Sequence, residues 1–242
     1  MKRITRFALT VVLGFTAQLT QANQLEDNLH KFSEGSKSYQ AGDYKTAVDI
    51  WRTQALLGFV MAQTMLGFVY AEGTGVTQDY QESAKWHQMA ADHGSPFSQN
   101  ALGSAYVDGN GVPQSYEEAV KLFRKAADSG HADAQYNLGL LYYKGRGVTQ
   151  NYQESAKWFR KAAVLGQAGA QHNLGVAYAH GRGIPQSNVL AYMLFNIAAT
   201  NGNIDSVKNR DILLNQMTPT EIAKGQALAA KWKLGTPLPI RH

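Results

Sequence analysis

The chain has 242 residues, seven histidines and no cysteine, so it has neither disulfides nor a thiolate metal site and its stability must come from packing. Its formal net charge of +5 falls to +2, 20 basic residues against 18 acidic, once the first 22 residues with Lys2, Arg3 and Arg6 are set aside. Without a basic stripe interleaved with aromatics, that balance does not point to nucleic acid as a partner.

Those first residues have their own pattern. Lys2, Arg3 and Arg6 precede the apolar run Phe7 to Ala17, and Thr20-Gln21-Ala22 offers a small-x-small cleavage site. This predicts a secretory signal peptide over residues 1–22, cut after Ala22. No later segment approaches the ~20 apolar residues of a membrane helix. The mature chain is therefore expected to be soluble and periplasmic or secreted.

From residue 25 onward the chain is periodic. Leu66-Gly67, Leu102-Gly103, Leu138-Gly139 and Leu174-Gly175 are 36 residues apart, as are Tyr70, Tyr106, Tyr142 and Tyr178. Gly94, Gly130, Gly166 and Gly202 close the units at the same step. A repeat of this length without insertions means stacked two-element units. Residues 25–59 are predicted as an atypical first unit and N-terminal cap, with the tight turn Ala41-Gly42-Asp43-Tyr44 and with Ala47 and Trp51 inward. Four full units follow at 60–94, 95–130, 131–166 and 167–202.

Each unit reads as helix, glycine loop, helix. In the third, Ala134, Leu138 and Tyr142 fall on one helical stripe, and Gly139 is expected to let a neighbouring backbone approach. Gly145 suits a left-handed helix end, after which the loop should drop Val148 onto the core. Asp79 with Glu82, Ser115 with Glu118 and Asn151 with Glu154 are expected to form capping boxes or close relatives, the Glu reaching back. Phe159, Ala162 and Ala163 should face inward, and Trp86 and Trp158 should pack between repeats. Beyond Gly202 the period fades. Helices from Ile204 to about Gln216 and from Pro219 to about Leu234, within 203–234, are predicted as a C-terminal cap, the second opened by Thr218 with Glu221 and given an apolar side by Ile222, Leu228 and Trp232. The tail 235–242, with two prolines, is expected to be mobile.

Repeats of the form Ala-x-x-x-Leu-Gly-x-x-Tyr-x-x-Gly-x-Gly-Val, followed by Phe-x-Lys-Ala-Ala-x-x-Gly, resemble the Sel-one-like repeat (SLR) branch of the tetratricopeptide-like superfamily. Departures are local: His87-Gln88-Met89 stands in place of Phe-Arg-Lys. The resemblance implies an all-α, right-handed α-solenoid that binds protein or peptide. Bacterial exported members act as adaptors in envelope assembly, stress signalling or contact with host cells. Some cysteine-rich relatives are associated with β-lactam binding or hydrolysis, which makes a hydrolase the alternative class.

Catalytic patterns are missing. No Ser-x-x-Lys or Gly-x-Ser-x-Gly occurs, and Ser83-Ala84-Lys85 and Ser155-Ala156-Lys157 place the lysine roughly 200° around the helix from the serine. No Walker lysine follows the Gly-x-Gly loops. His172 and His180 lie about 80° apart on a helix, which does not suit a metal pair. The chain is thus expected to be a non-enzyme without cofactor or metal, and the sequence leaves its oligomeric state open.

What remains is the face of each first helix opposite the Leu/Tyr stripe, which in a tetratricopeptide-like solenoid lines the concave groove. Its occupants are Thr64, Phe68, Ala71 and Glu72; Asn100, Ser104, Val107 and Asp108; Tyr136, Leu140, Tyr143 and Lys144; and His172, Val176, Ala179 and His180. Phe68, Tyr136, Leu140 and Tyr143 have the size of binding anchors, with partial burial by neighbouring helices as the competing explanation. The sequence Glu72, Asp108, Lys144, His180 runs from acidic to basic and would give a bound segment a direction. The expected partner-binding set is Phe68, Glu72, Asp108, Tyr136, Leu140, Tyr143, Lys144, His172, Val176 and His180.

Overall fold

The computed structural model describes residues 23–239. The expected signal peptide and its cleavage site lie outside the described residues, as do the last three residues of the tail. Every regular element among the described residues is helical. Residues 23–40 are helical (α1), and α2 is Tyr44–Leu56. The next eight helices alternate as α3 Val60–Glu72, α4 Tyr80–Asp92, α5 Pro96–Asp108, α6 Tyr116–Asp128, α7 Ala132–Lys144, α8 Tyr152–Val164, α9 Ala168–His180 and α10 Asn188–Thr200. Two more, α11 Ile204–Leu214 and α12 Pro219–Lys231, complete the order. The 36-residue step is kept throughout: α2 to α10 each have 13 residues and recur at that spacing. Consecutive helices pack as pairs, which makes this an α-solenoid type of fold.

The chain forms two compact units, one ending at Ser95 and the other starting at Pro96. The first unit is built on Ala47, Val48, Trp51, Ala62 and Leu66, with Trp86 of α4 closing the cluster. In the second, Ala134, Leu138, Phe123 and Trp158 form one core, and Leu174, Phe159, Phe195, Met193 and Leu190 form another. The expected inward positions are inward: Ala134, Leu138 and Ala162 have no exposure at all, and both tryptophans pack into the core of the preceding helices. Val76, Val148 and Ile184 reach those cores from the loops.

A second set of periodic contacts joins successive repeats within each compact unit. Gln63, Gln135 and Gln171 are buried, and each side-chain amide donates to a carbonyl near the end of the preceding helix, at Ala55, Ala127 and Ala163, over 3.0–3.1 Å. Each of these carbonyls also accepts from the glycine N–H three residues on, at Gly58, Gly130 and Gly166, so the buried amide takes the second lone pair of a helix-end carbonyl.

Three expectations are corrected. The helical glycines make room for a ring rather than a backbone: a Cβ on Gly139 would stand 2.7 Å from the Phe159 ring, and Gly103 and Gly175 meet Phe123 and Phe195 in the same way. The three glutamates do not close capping boxes. Asp79, Ser115 and Asn151 do accept the N–H groups of Glu82, Glu118 and Glu154 at 3.0–3.3 Å. Their own N–H groups, however, already donate to the carbonyls of Tyr70, Tyr106 and Tyr142 at 2.9–3.0 Å, and the glutamates pair with Lys85, Lys121 and Lys157 instead. The full box forms at Thr218 and Glu221. Replacing Asn151 by Ala should therefore cost about 1 kcal/mol, while Glu154→Ala, which removes any acceptor at that position, moves the urea midpoint little. A comparable loss from Glu154→Ala would restore the capping-box assignment.

The third correction concerns the tail. The Gly235 N–H donates to the Val164 carbonyl at 2.9 Å, an acceptor left over at the end of α8, and Leu238 is buried against the core. The Trp232 ring nitrogen donates to the Thr236 carbonyl at 3.0 Å. Residues 235–239 are thus held down. The two last helices end slightly earlier than expected, at Leu214 and Lys231, and both pack on α10.

Candidate functional site: a groove along the first helices

Helix register places Leu140, Tyr143 and Lys144 of α7 one turn apart on the face turned away from Leu138. Two shallow pockets flank that face. The one toward α5 holds about 240 Å³ and is lined by Val107, Asp108, Asn137, Leu140 and Lys144. The one toward α9 holds about 200 Å³ and is lined by Leu140, Tyr143, Lys144, Phe159 and Val176. A third, of about 410 Å³, lies between α9 and α11 and includes Val176, Ala179, His180, Phe195 and Leu213. Leu140 and Lys144 are shared by the first two and Val176 by the last two, so the three lie next to one another along the first helices and form the candidate groove.

The structure brings together Asp108, Leu140, Tyr143, Lys144, Val176 and His180. Phe68 and Glu72 belong to the first unit: Glu72 is exposed, and the Phe68 ring lies edge-on to His87 at 4.8 Å. Tyr136 and His172 are half-buried against their neighbours. The Tyr136 ring lies 5.9 Å from that of Phe159, and burial pushes its hydroxyl up from the ordinary tyrosine value. The His172 ring nitrogen Nδ1 is 2.8 Å from the Ser206 hydroxyl, and burial holds this imidazole below its ordinary value. For these two side chains, packing by neighbouring helices prevails over free display.

Sequence reasoning missed Arg146 and Arg182, the middle residues of two Gly-x-Gly loops. The Arg146 guanidinium sits 5.3 Å over the Tyr116 ring, and that of Arg182 sits 5.9 Å over the Tyr143 ring and donates to its hydroxyl. Both line the groove. Their signal was the loop column Thr74, Asn110, Arg146, Arg182, which turns basic toward the end of the array. Asn137, which donates to Asn100 at 3.1 Å, was also missed.

The serines weighed as nucleophiles serve the fold. Ser83 and Ser155 are buried and donate to the carbonyls of Gly67 and Gly139 at 2.7 and 2.8 Å. Among the described residues no group of three or more His, Asp or Glu is placed to hold a metal ion, and no helix is long and apolar enough to cross a membrane.

Regularly paired helices with a shared groove define a helical repeat protein. The Sel1 repeat model matches residues 60–95, 96–131, 132–166 and 168–203, and the chain belongs to the Sel1 repeat family. Such repeats mediate protein–protein interaction. The chain is similar to a crystal structure of a protective antigen present in uropathogenic Escherichia coli strains displaying an SLR fold, at 32% identity and a TM-score of 0.74. That match covers 84% of this chain and 46% of the antigen, so the chain spans about half its relative's length. It is also similar to a Sel1 repeat protein from Oxalobacter formigenes, at 29% identity and a TM-score of 0.68, over 79% of this chain and 84% of that one. No curated protein matches it.

Proposed function

We propose that the chain is an exported, non-catalytic adaptor whose first helices hold an extended segment of a partner protein. The observation that carries this reading is the row of adjacent pockets in the second unit, where Leu140, Tyr143 and Val176 are only partly covered and lie beside Lys144, Asp108 and His180. Leu140 and Val176 pack against the core with one side and stay partly exposed on the other, and large apolar side chains left exposed beside charge are what a binding surface requires. Phe68 and Glu72 are the corresponding offering of the first unit. Export rests on the basic and apolar pattern of residues 1–22, and the protective-antigen character of one relative supports it. Envelope assembly, stress signalling and host contact are the settings that suit such an adaptor.

The test is photocrosslinking in cells from a photoreactive residue at position 143, with capture from the envelope fraction. One dominant adduct is expected, reduced about tenfold by Lys144→Glu, while the variant's thermal unfolding matches that of the parent. Equal capture with and without Lys144→Glu, or adducts only from positions on the second helices, would move the site off the groove.

A further inference from the structure

We propose that the segment held by the second unit carries a glutamate or aspartate whose carboxylate sits between Lys144 and Arg182, about three or more residues from an apolar side chain seated between α9 and α11. This rests on the groove reading above and adds the partner's chemistry to it.

The first observation is where the cations lack acids. Lys85, Lys121 and Lys157, on second helices, each pair with a glutamate three residues earlier. Lys144, Arg146 and Arg182 make no ion pair among the described residues; Arg124, Lys125, Arg160 and Lys161 of the second helices make none either, so what distinguishes Lys144 and Arg182 is that both line the pocket between α7 and α9. Arg182 leans on the face of Tyr143, which fixes the guanidinium while leaving donors of its fork for an acceptor from outside. A cation held in place loses less freedom when it binds than a free lysine does.

The second observation is that the three pockets differ in charge. Between α5 and α7, Asp108 lies in the same pocket as Lys144 and Arg146, so the signs are mixed. Between α7 and α9, Lys144 and Arg182 flank an apolar floor of Leu140, Phe159 and Val176, and no acidic residue lines the pocket. Between α9 and α11, Val176, Phe195, Ile212 and Leu213 share the walls with His180, Gln186, Asn209 and Gln216, and no lysine, arginine or carboxylate lines the pocket. A carboxylate is thus favoured in the middle pocket and an aliphatic or aromatic side chain in the next one.

Geometry gives the spacing. Closely packed helices stand about 8–10 Å apart, successive first helices meet less closely than that, and an extended chain advances about 3.3 Å per residue, so neighbouring pockets fall about three or more residues apart along a bound segment. Because the groove continues on both sides of the middle pocket, the carboxylate belongs to a side chain within the segment and not to a chain end.

A displayed library of random decapeptides, panned on the full chain, tests this. Enriched peptides are expected to place Asp or Glu about three or more residues from Leu, Ile, Phe or Met. Exchanging that Glu for Gln in a synthetic peptide should weaken binding about tenfold, and so should Arg182→Glu in the protein. A peptide with Lys in place of the Glu should recover affinity for the Arg182→Glu protein. If peptides depend on Tyr143, tested by Tyr143→Ala, yet carry no acid or ignore Arg182→Glu, the charge assignment fails and the groove stands. If no peptide is enriched, or the enriched ones ignore both variants, the assignment and the groove reading fail together.

Discussion

Replacing Gly183 by alanine is expected to cost about 4 kcal/mol, while the same change at Gly181 costs about 1–2 kcal/mol. Both glycines have positive φ, 65° at Gly181 and 73° at Gly183, so each alanine meets the left-handed backbone penalty. They differ in what lies beside them. A Cβ on Gly181 would find no atom nearer than Gln186 Cβ at 3.5 Å, an ordinary contact. At Gly183 it would stand 2.2 Å from the Tyr152 carbonyl oxygen and 2.6 Å from the Gln153 nitrogen. Those atoms are backbone in the first turn of α8 and cannot turn aside as a side chain does. Relief requires the loop to lift away from α8, which adds an overpacking cost to the strain. Urea melts of the two variants decide the matter. Equal losses would mean that positive φ alone selects both glycines and that the loop is not seated on α8.

That contact has a functional side, because Arg182 lies between the two glycines. The loop's seat on α8 determines where the guanidinium meets the Tyr143 ring, and so where the groove is cationic. The scaffold was legible in the sequence because stacked helices need the same small and large residues at each 36-residue step, as Ala134, Leu138 and Phe159 show. The glycine roles were legible only in part. A glycine can serve a turn, a ring or a backbone, and the letter is the same; Gly139 faces a ring and Gly183 a backbone. The capping glutamates misled because the competing acceptor for the Asn151 N–H, the Tyr142 carbonyl, is brought there by the loop's path. The tail misled because its prolines suit a mobile segment, whereas the burial of Leu238 depends on an α8 surface that no local pattern reveals.

At the groove, helix register correctly grouped Leu140, Tyr143 and Lys144, since positions three and four apart share a face. It could not place Arg146 and Arg182, because a loop has no periodicity from which to read direction. Nor could it tell that Tyr136 and His172 lean on Phe159 and Ser206, since that depends on how α8 meets α7 and how α11 meets α9.

The second large effect is expected at His87. This imidazole occupies the place that Phe123, Phe159 and Phe195 fill in the other units, with its ring atoms 2.4–2.6 Å from where a Cβ on Gly67 would be. It is almost completely buried, and burial lowers its pKa from 6.5 to about 4. Above pH 6.5 the residue is neutral whether the chain is folded or not, and it imposes no pH dependence. As the pH falls through 6.5 the unfolded chain takes up a proton that the folded chain refuses until about pH 4, so the folded state loses stability across that window. The loss by pH 4 amounts to about 3 kcal/mol, from the displacement of the pKa at about 1.4 kcal/mol per unit. His87→Phe should fit, because Phe123 rests on Gly103 in the same arrangement. The stability gap between variant and parent, read from urea midpoints, should therefore widen by about 3 kcal/mol in the variant's favour between pH 7 and pH 4. Taking the difference cancels the other titrating groups, which both proteins share. A gap that stays constant with pH would mean that His87 protonates as readily in the folded chain as in the unfolded one, and that the first unit opens around this ring.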